Sequence, residues 1–219
     1  MRWEILVLTL CTIAIVLCGS VIEMIQYKPV YQNLFSKHST YDRLGENADD
    51  WNSQVMTFLV GKKDQKLEFL NNNEVSHMQD VRSILDFLGM LYWAAVLGFL
   101  FILKVLWKNE RKEMKQMLAK SIFWSAGILV GVLAIMMVFW LFDFTQAFDF
   151  FHKMLFPQGN WTFPYSSPLI QLYPHEFFLD FGKVIAGVAT AKLVLLAIVS
   201  FAYLKIFRNR ALDKQSESI

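Results

Sequence analysis

The chain has 219 residues, of which 55% are hydrophobic and 16% are aromatic, and its formal net charge is +2. Soluble domains are usually about 45–50% apolar, so this composition excludes an ordinary soluble globular domain. The small net charge gives no sign of a nucleic-acid partner, because the basic residues gather at the borders of apolar runs, where anionic lipid headgroups attract them. Both cysteines, Cys11 and Cys18, lie in the first apolar run, which excludes a disulfide-stapled secreted domain.

Four long apolar runs dominate the sequence. Each holds about the 20 residues that a helix needs to cross the roughly 30 Å hydrocarbon layer of a bilayer. The first run extends beyond the apolar core of a typical signal peptide and lacks a cleavage site of small residues, so we expect it to be retained as a helix. The sequence therefore predicts an α-helical membrane protein with four transmembrane helices, at residues 1–25, 87–107, 121–142 and 183–207.

The distribution of lysine and arginine predicts the orientation of these helices. Five basic residues lie in the segment 108–120 and more follow in the C-terminal tail, whereas Lys153 is the one basic residue of the segment 143–182. Cytoplasmic loops carry the excess of lysine and arginine in membrane proteins. We therefore expect both termini in the cytoplasm, with a cytoplasmic loop at 108–120, a cytoplasmic tail at 208–219 and an extracytoplasmic cap formed by 26–86 and 143–182.

Helical patterns cover most of the predicted cap. The segment 44–61 has the apolar spacing of an amphipathic helix. The segment 71–87 starts with asparagines, which suit a helix N-cap, and is predicted to run as a helix into the second span. Proline is favoured at the start of a helix, so we expect Pro174 to open a helix over 175–182 that enters the fourth span.

Two short stretches of the cap predict strands. The segment 59–70 has the pattern of two short strands joined by a Gly-Lys-Lys-Asp bend at 61–64, and the segment 156–163 has that of a turn followed by a short strand. The predicted fold is thus a bundle of four transmembrane helices with a small mixed α/β extracytoplasmic cap.

All four histidines, His38, His77, His152 and His175, fall in the predicted cap. His77 lies about ten residues before the second span and His152 about ten after the third, so both are expected at a similar depth near the outer membrane surface. Asp80 shares a helix face with His77 and could hold one imidazole nitrogen while the other moves a proton. The alternative, a histidine that merely fills an amphipathic surface, is favoured for His38 and His175.

The motifs of other enzyme classes do not occur in the sequence. There is no G-x-S-x-G elbow, no H-E-x-x-H pair and no glycine-rich phosphate loop. A zinc site could be assembled from His77 and His152 with Asp149 or Asp180, but no ligand spacing favours it.

Two further features have both a structural and a functional interpretation. Lys192 lies inside the fourth apolar run, where a charge marks a functional site, snorkels to the headgroups or pairs with Glu23; we favour the structural role. The many aromatic residues between positions 139 and 165 form either an interfacial belt or a pocket that grips acyl chains and excludes water. The belt residues are tryptophan and tyrosine, whereas phenylalanine is abundant here.

Three segments, EVSHMQDV (74–81), FDFFHKMLFPQGNWTF (148–163) and LIQLYPHEFF (169–178), together with the four-span frame, resemble the bacterial lipoprotein intramolecular transacylases (Lit). These are small membrane enzymes of Gram-positive bacteria. The chain departs from the resemblance at Ser167 and Pro168, where an acidic residue is expected before the Leu-Ile pair.

The resemblance implies a reaction and a set of site residues. The sn-2 acyl chain of a diacylglyceryl-modified lipoprotein would move to the α-amine of its N-terminal cysteine, in a bacterial cell membrane and with no metal or cofactor. His77 and His152 would be the catalytic pair, Asp80 would support them, and the lipid would contact Phe151, Trp161 and Phe178. The partners would be lipoproteins and membrane lipid. Two other hypotheses are a non-catalytic four-span scaffold protein and a metal-dependent membrane hydrolase.

Overall fold

The computed structural model describes residues 2–61 and 65–216, with side chains described as far as residue 206. In these residues the chain is entirely helical apart from turns and coil. The helices are α1 (Trp3–Gln26), α2 (Lys28–Lys37), α3 (Thr40–Leu44), α4 (Asn47–Val60), α5 (Asn72–Asn109), α6 (Arg111–Phe142), α7 (Phe144–Leu155), α8 (Pro168–Leu172) and α9 (His175–Ser216).

Within the described ranges, four helices are long and apolar enough to cross a membrane: α1, α5, α6 and the His175–Ile206 part of α9. The prediction of an α-helical membrane protein with four spans is therefore confirmed. The helices of the second and fourth spans begin well before the apolar runs do. In α5, residues 72–86 precede the apolar run 87–107 without a break in the helix. The spans therefore continue directly into the cap.

The described chain divides into two compact units. The first contains residues 2–20, 90–134 and 187–216, which are parts of α1, α5, α6 and α9. Its helices pack through two apolar clusters, one of Ile5, Leu8, Ile102, Leu106 and Met117 and one of Val16, Ala126, Leu129, Ala189 and Leu193. Small hydroxyl residues join α1 to α6: Ser125 Oγ donates to the carbonyl of Thr9 at 3.1 Å. Such residues let helix backbones approach closely in lipid.

One end of the first unit carries an ion cluster. The guanidinium of Arg2 donates to Glu110 and, at 3.1 Å, to Oε2 of Glu113. These glutamates flank the start of α6, so the N-terminal residues lie beside the short connection between α5 and α6. The predicted cytoplasmic loop and the N-terminus are therefore at the same end of this unit.

The second unit contains residues 21–89 and 135–186, and it includes the whole predicted cap. Aromatic rings fill its core: Tyr31 and Phe35 of α2 pack on Tyr173 and Phe177 with ring centroids 5.8–6.5 Å apart. The hydroxyl of Tyr173 donates to Oδ1 of buried Asn52 at 2.7 Å, so the polar end of the ring is satisfied inside the core.

The predicted cap helices are confirmed. Most of the amphipathic segment 44–61 forms α4, which begins at Asn47 and buries Val55, Phe58 and Leu59, whereas Leu44 ends α3. The predicted asparagine cap of α5 is Asn71, whose Oδ1 accepts from the backbone N–H groups of residues 73 and 74 at 2.9 and 3.1 Å. Oε2 of Glu74 accepts from the N–H of Asn71 in return, at 2.8 Å, which completes a capping box. Helix α9 begins directly after Pro174, as expected.

The predicted α/β character of the cap is wrong, because the described residues contain no strand. In the stretch 65–70, Leu67 and Leu70 are buried in the aromatic core, which favours a turn over an extended strand. Residues 62–64 of the predicted bend lie outside the described residues. The turn predicted in 156–163 does form, with Gly159 donating to the Phe156 carbonyl at 3.0 Å and adopting φ +78°, but no strand follows it. Neither stretch has a neighbouring strand to complete a ladder of backbone hydrogen bonds.

Candidate active site

The second unit brings the two predicted catalytic histidines together. His77 lies in the second turn of α5, directly after its asparagine cap, and His152 lies near the end of α7. Asp143 separates α6 from α7 and caps the start of α7, where its Oδ1 accepts a hydrogen bond from the N–H of Gln146 at 3.0 Å. The two imidazole ring centroids are 6.2 Å apart. The structure thus brings the side chains of His77 and His152 next to each other.

Aromatic side chains surround the histidine pair. Phe156 is buried and meets both rings, with centroids 4.7 Å from His77 and 5.6 Å from His152. Phe163 lies 5.7 Å from His77 and Trp161 lies 5.1 Å from His152. The turn made by Pro157 and Gly159 brings these three rings, from one short segment, back toward α5. The pair is therefore held in an apolar setting with few alternative proton acceptors.

Hydrogen bonding fixes the tautomer of His152. Its Nδ1 lies 2.8 Å from the carbonyl oxygen of Phe148, one turn earlier in α7. A carbonyl oxygen only accepts, so Nδ1 carries the proton and Nε2 is the nitrogen with a lone pair. Burial lowers the pKa of His152, and the bond to the Phe148 carbonyl opposes that effect only in part. The imidazole is thus neutral near pH 7 and can accept a proton at Nε2.

Burial also keeps His77 neutral. Loss of hydration, with repulsion from His152 as a second cause, lowers the pKa of His77 to about 4, although Asp80 acts in the opposite direction. The residue is 8% exposed, and its Nδ1 is buried without a hydrogen-bond partner among the described residues. A neutral imidazole with an unused nitrogen is suited to exchange protons with a substrate.

Asp80 accepts two hydrogen bonds from the segment that follows α7. Its Oδ2 accepts hydrogen bonds from Nε2 of Gln158 at 2.7 Å and Nδ2 of Asn160 at 2.6 Å. The predicted bond to the ring of His77 is not formed in the part of the chain that the structure describes. Asp80 instead anchors the segment that carries Phe156 and Trp161. Through this segment Asp80 is linked to the aromatic rings around the histidines, and its charge also opposes the lowering of the pKa of His77.

The predicted lipid-contacting residues form one aromatic layer with the pair. Phe151 lies 5.5 Å and Trp161 5.1 Å from the ring of His152. Phe178 is connected to His152 through Phe148. The ring centroids of Phe178 and Phe148 are 5.8 Å apart, and those of Phe148 and His152 are 3.8 Å apart. Phe151 is 47% and Phe178 39% exposed, so both present apolar surface next to the histidines.

The other two histidines have structural contacts. His175 packs on Phe144 and Phe148 with centroids 4.7 and 4.4 Å apart, within the same aromatic layer. Nε2 of His38 pairs with Asp180 at 3.1 Å. The zinc set considered from the sequence is not assembled, because no group of three or more metal-ligating side chains occurs in the described residues.

Sequence reasoning missed Glu74, a fully buried carboxylate one turn before His77. Its Oε1 accepts from the hydroxyl of Ser167 and from the N–H of Leu169 at 3.1 Å, while Oε2 caps α5. Glu74 therefore joins the start of α5 to the start of α8. Its carboxylate lies beside the Leu-Ile pair, next to the position where the family resemblance leads us to expect an acidic residue and the chain has Ser167. The signal was present in the sequence, since Glu74 stands three residues after the capping Asn71.

Comparison with known proteins identifies the family. The family described as lipoprotein intramolecular transacylase Lit matches residues 5–178, a range that contains both histidines and all of the aromatic layer. The chain belongs to the Lit family. The resemblance stated from the sequence segments is confirmed.

Solved structures of Lit from Bacillus cereus share the fold of this Lit family member. One covers 94% of this chain and 97% of that chain at 19% identity, with a TM-score of 0.76. Structures of Lit from the same organism with a histidine-to-arginine and a histidine-to-alanine mutation also have TM-scores of 0.76, at 18% identity. The first covers 95% of this chain and 94% of that chain, and the second covers 94% of each. These structures are membrane-integral, and with the four apolar helices they make this chain a multi-pass membrane protein.

A curated relative from Aquifex aeolicus, an uncharacterized protein, is 29% identical over 110 residues. The match covers 50% of this chain and 46% of the relative, so the chain spans less than half the length of that protein.

Proposed function

We propose that this chain is a lipoprotein intramolecular transacylase that moves the sn-2 acyl chain of a diacylglyceryl-cysteine lipoprotein onto the α-amine of the N-terminal cysteine. The observation that carries the proposal is the pair of neutral imidazoles, His77 and His152, with ring centroids 6.2 Å apart in an aromatic layer of a Lit family membrane protein.

The first chemical step requires a base. The substrate α-ammonium has an ordinary pKa of about 7.7–8.0, so it is largely protonated at neutral pH and cannot attack. His152 can take this proton at Nε2, because its Nδ1–H is engaged with the Phe148 carbonyl. The freed amine then attacks the sn-2 ester carbon, a C–N bond forms and the carbonyl oxygen becomes an oxyanion. Neutral His77 supplies a ring N–H that can stabilise this oxyanion.

The second step requires an acid. When the tetrahedral intermediate collapses, the bond from the acyl carbon to the glyceryl oxygen breaks, and the alkoxide takes a proton from the imidazolium formed in the first step. The acylated nitrogen still carries one proton more than an amide does, and His152, neutral again, takes this proton and passes it to solvent. The product is an amide and a free sn-2 hydroxyl. No water, metal or acyl-enzyme enters this balance, and the catalyst returns to its neutral form.

The aromatic layer fits an intramolecular reaction. Both reacting groups belong to one substrate, so folding that substrate into a reactive shape can contribute about 7–11 kcal/mol of the barrier reduction. Phe151, Trp161 and Phe178 would contact the lipid near His152, and an apolar layer that excludes water would disfavour hydrolysis of the ester.

We also infer the orientation of the site in the membrane. Both histidines lie in the segments 26–86 and 143–182, which the distribution of basic residues assigns to the outside of the cell. The position of Arg2 beside Glu110 and Glu113 supports an arrangement with the N-terminus and the 108–120 loop on one side. The active site would then lie at the outer leaflet, with the domain boundaries as predicted from the sequence.

The test is expression in a bacterial host that lacks N-terminal lipoprotein acylation, followed by mass spectrometry of lipopeptides. The product is an isomer of the substrate, so fragmentation spectra must locate the acyl chain on nitrogen or on oxygen. We expect the O-to-N shift with the wild-type chain and its loss in His77→Ala and His152→Ala. A metal-dependent hydrolase would instead release a fatty acid and lower the mass.

Matched controls exist on the same helices. Gln79 of α5 and Thr145 of α7 are exposed, and Gln79→Ala and Thr145→Ala should retain the activity if the variant chains fold normally. Full N-acyl product from both histidine variants would overturn the proposal.

A further inference from the structure

An apolar groove lies between α2 and the outer part of α9, within the second unit. Its lining is almost entirely apolar and is formed by Tyr27, Pro29, Val30, Asn33, Leu34 and Val184. The residues from α2 recur at the spacing of one helix face. The groove is open to its surroundings, and Tyr27, one of its lining residues, is 52% exposed. An exposed apolar groove of this kind in a membrane protein is suited to a hydrocarbon chain.

A cluster of charges continues the groove at one end. Oδ2 of Asp180 accepts from Nζ of Lys37 at 2.7 Å, and Oδ1 accepts from Nζ of Lys183 at 2.9 Å. Lys37 follows Leu34 by three residues on α2, and Asp180 precedes Val184 by four residues on α9, so Lys37 and Asp180 extend the helix faces that line the groove. Lys183 joins them through its bond to Asp180. His38 pairs with the same carboxylate at 3.1 Å.

The cluster retains binding capacity for an anion. The two ammonium groups of Lys37 and Lys183 face the one carboxylate of Asp180, which leaves one positive charge in excess among these three side chains. Each ammonium has three N–H donors, and one of them is used on Asp180. The side chains of Lys37 and Lys183 are 59% and 39% exposed, so further acceptors can reach them. Asp180 thus holds the two cations side by side at a fixed separation.

The apolar groove and the charged cluster lie in the same order as the acyl chain and the headgroup of a lipid in the outer leaflet. Tyr27 follows the end of α1, and Val184 stands at the start of the predicted fourth span, so this end of the groove is at the hydrocarbon boundary. Asp180 precedes Val184 by one helical turn, which places the charged end further from the hydrocarbon. Cations at headgroup level and an apolar path below them are the arrangement that an anionic phospholipid requires.

We propose that this groove is a binding site for an anionic phospholipid, whose phosphate contacts Lys37 and Lys183 and whose acyl chain lies along Val30, Leu34 and Val184. The site is separate from the histidine pair in its residues, and the proposal does not depend on the transacylase reaction. The bound lipid would join α2 to α9 and so stabilise the second unit.

The experiment is native mass spectrometry of the detergent-purified full chain with added phosphatidylglycerol or phosphatidylcholine of the same acyl composition. We expect one retained phosphatidylglycerol, bound about tenfold more tightly than phosphatidylcholine, because charge-assisted hydrogen bonds are the stronger ones. The double variant Lys37→Gln/Lys183→Gln should lose this preference. Lys66→Gln removes an exposed lysine of the same unit and should keep it.

A second variant tests the contribution of the apolar groove independently of the two lysines. Val30→Trp fills the groove and leaves both lysines in place, so it should weaken binding of both lipids while thermal unfolding without added lipid confirms that the variant folds. Glycerol phosphate is the control for a free phosphate and should compete poorly. The proposal would be overturned if the wild type retained the two lipids equally. It would also be overturned if the double variant or Val30→Trp retained lipid as the wild type does, or if glycerol phosphate bound as tightly as the lipid.

Discussion

The side-chain amide of Asn160 donates a hydrogen bond of 2.6 Å to Oδ2 of Asp80. Asp80 is on the same helix as His77, and Asn160 directly precedes Trp161, which packs on His152. This hydrogen bond therefore ties the helix that carries His77 to the segment whose Trp161 packs on His152. Gln158 adds a second bond of 2.7 Å to the same oxygen.

Replacing Asp80 should lower the transfer rate by loosening this segment. Asp80→Ala leaves two amides without their acceptor, and a displacement of about 1 Å near reacting groups can cost about 100-fold in rate. Asp80→Asn keeps an acceptor oxygen and should retain more activity. Transfer rates in reconstituted membranes measure the effect, with Asp86→Ala as a control that removes an exposed acidic residue from the same helix. Equal rates for wild type and Asp80→Ala would contradict a positioning role.

The transfer rate should persist to lower pH than an ordinary histidine permits. The usual imidazole pKa is about 6.5, whereas burial lowers that of His152 and lowers the pKa of His77 to about 4. The neutral pair thus survives mild acidification, and the acid limb of the rate should lie below pH 6.5. The rate measured against pH on reconstituted protein tests this. An acid limb centred at or above pH 6.5 would show that neither buried imidazole acts as the base.

The same shift predicts a dependence of stability on pH. The pKa of His77 is about 4 in the folded chain and near 6.5 in the unfolded chain, so the unfolded state binds the proton first. The stability associated with neutral His77 is complete above about pH 6.5 and is lost as the pH falls toward 4. Thermal unfolding of wild type and His77→Gln at pH 7.5 and 5 should show a smaller decrease in the variant. Equal decreases in both proteins would exclude this coupling.

Glu74 should matter for folding more than any exposed carboxylate of the cap. Glu74→Gln replaces one acceptor oxygen with a donor in a buried site that holds Ser167, Leu169 and Asn71. An unsatisfied buried polar group costs about 1–3 kcal/mol. Thermal unfolding in detergent should show this loss, and Glu68→Gln, at an exposed position, is the control. A Glu74→Gln variant as stable as Glu68→Gln would show that the buried bonds contribute little.

The orientation can be tested by labelling with a maleimide that does not cross membranes. In a Cys11→Ala/Cys18→Ala background, Glu68→Cys should react from outside intact cells and Lys112→Cys only after lysis. Both positions are exposed, so accessibility reports the side of the membrane. The reverse pattern would place the histidine pair in the cytoplasm.

Features that depend on short stretches of sequence were predictable. The spans follow from the length of the apolar runs, because a helix of about 20 residues matches the bilayer thickness whatever surrounds it. The start of α5 follows from Asn71, since a cap satisfies the backbone of its own first turn. The approach of His77 to His152 was indicated by their equal distance from predicted spans, which fixes depth for residues near a membrane.

Features that depend on distant partners were decided only by the tertiary structure. The stretch 65–70 does not form a strand because a strand needs a neighbour, and Leu67 and Leu70 instead enter a helical core. Asp80 pairs with Gln158 and Asn160 because the turn at Gly159 brings those amides to α5, and no local spacing predicts that approach. The sequence by itself determined that four segments form helices long and apolar enough to span a membrane. The folded chain decided which polar groups meet there, because each buried carboxylate takes whichever donors the packing of helices leaves within reach.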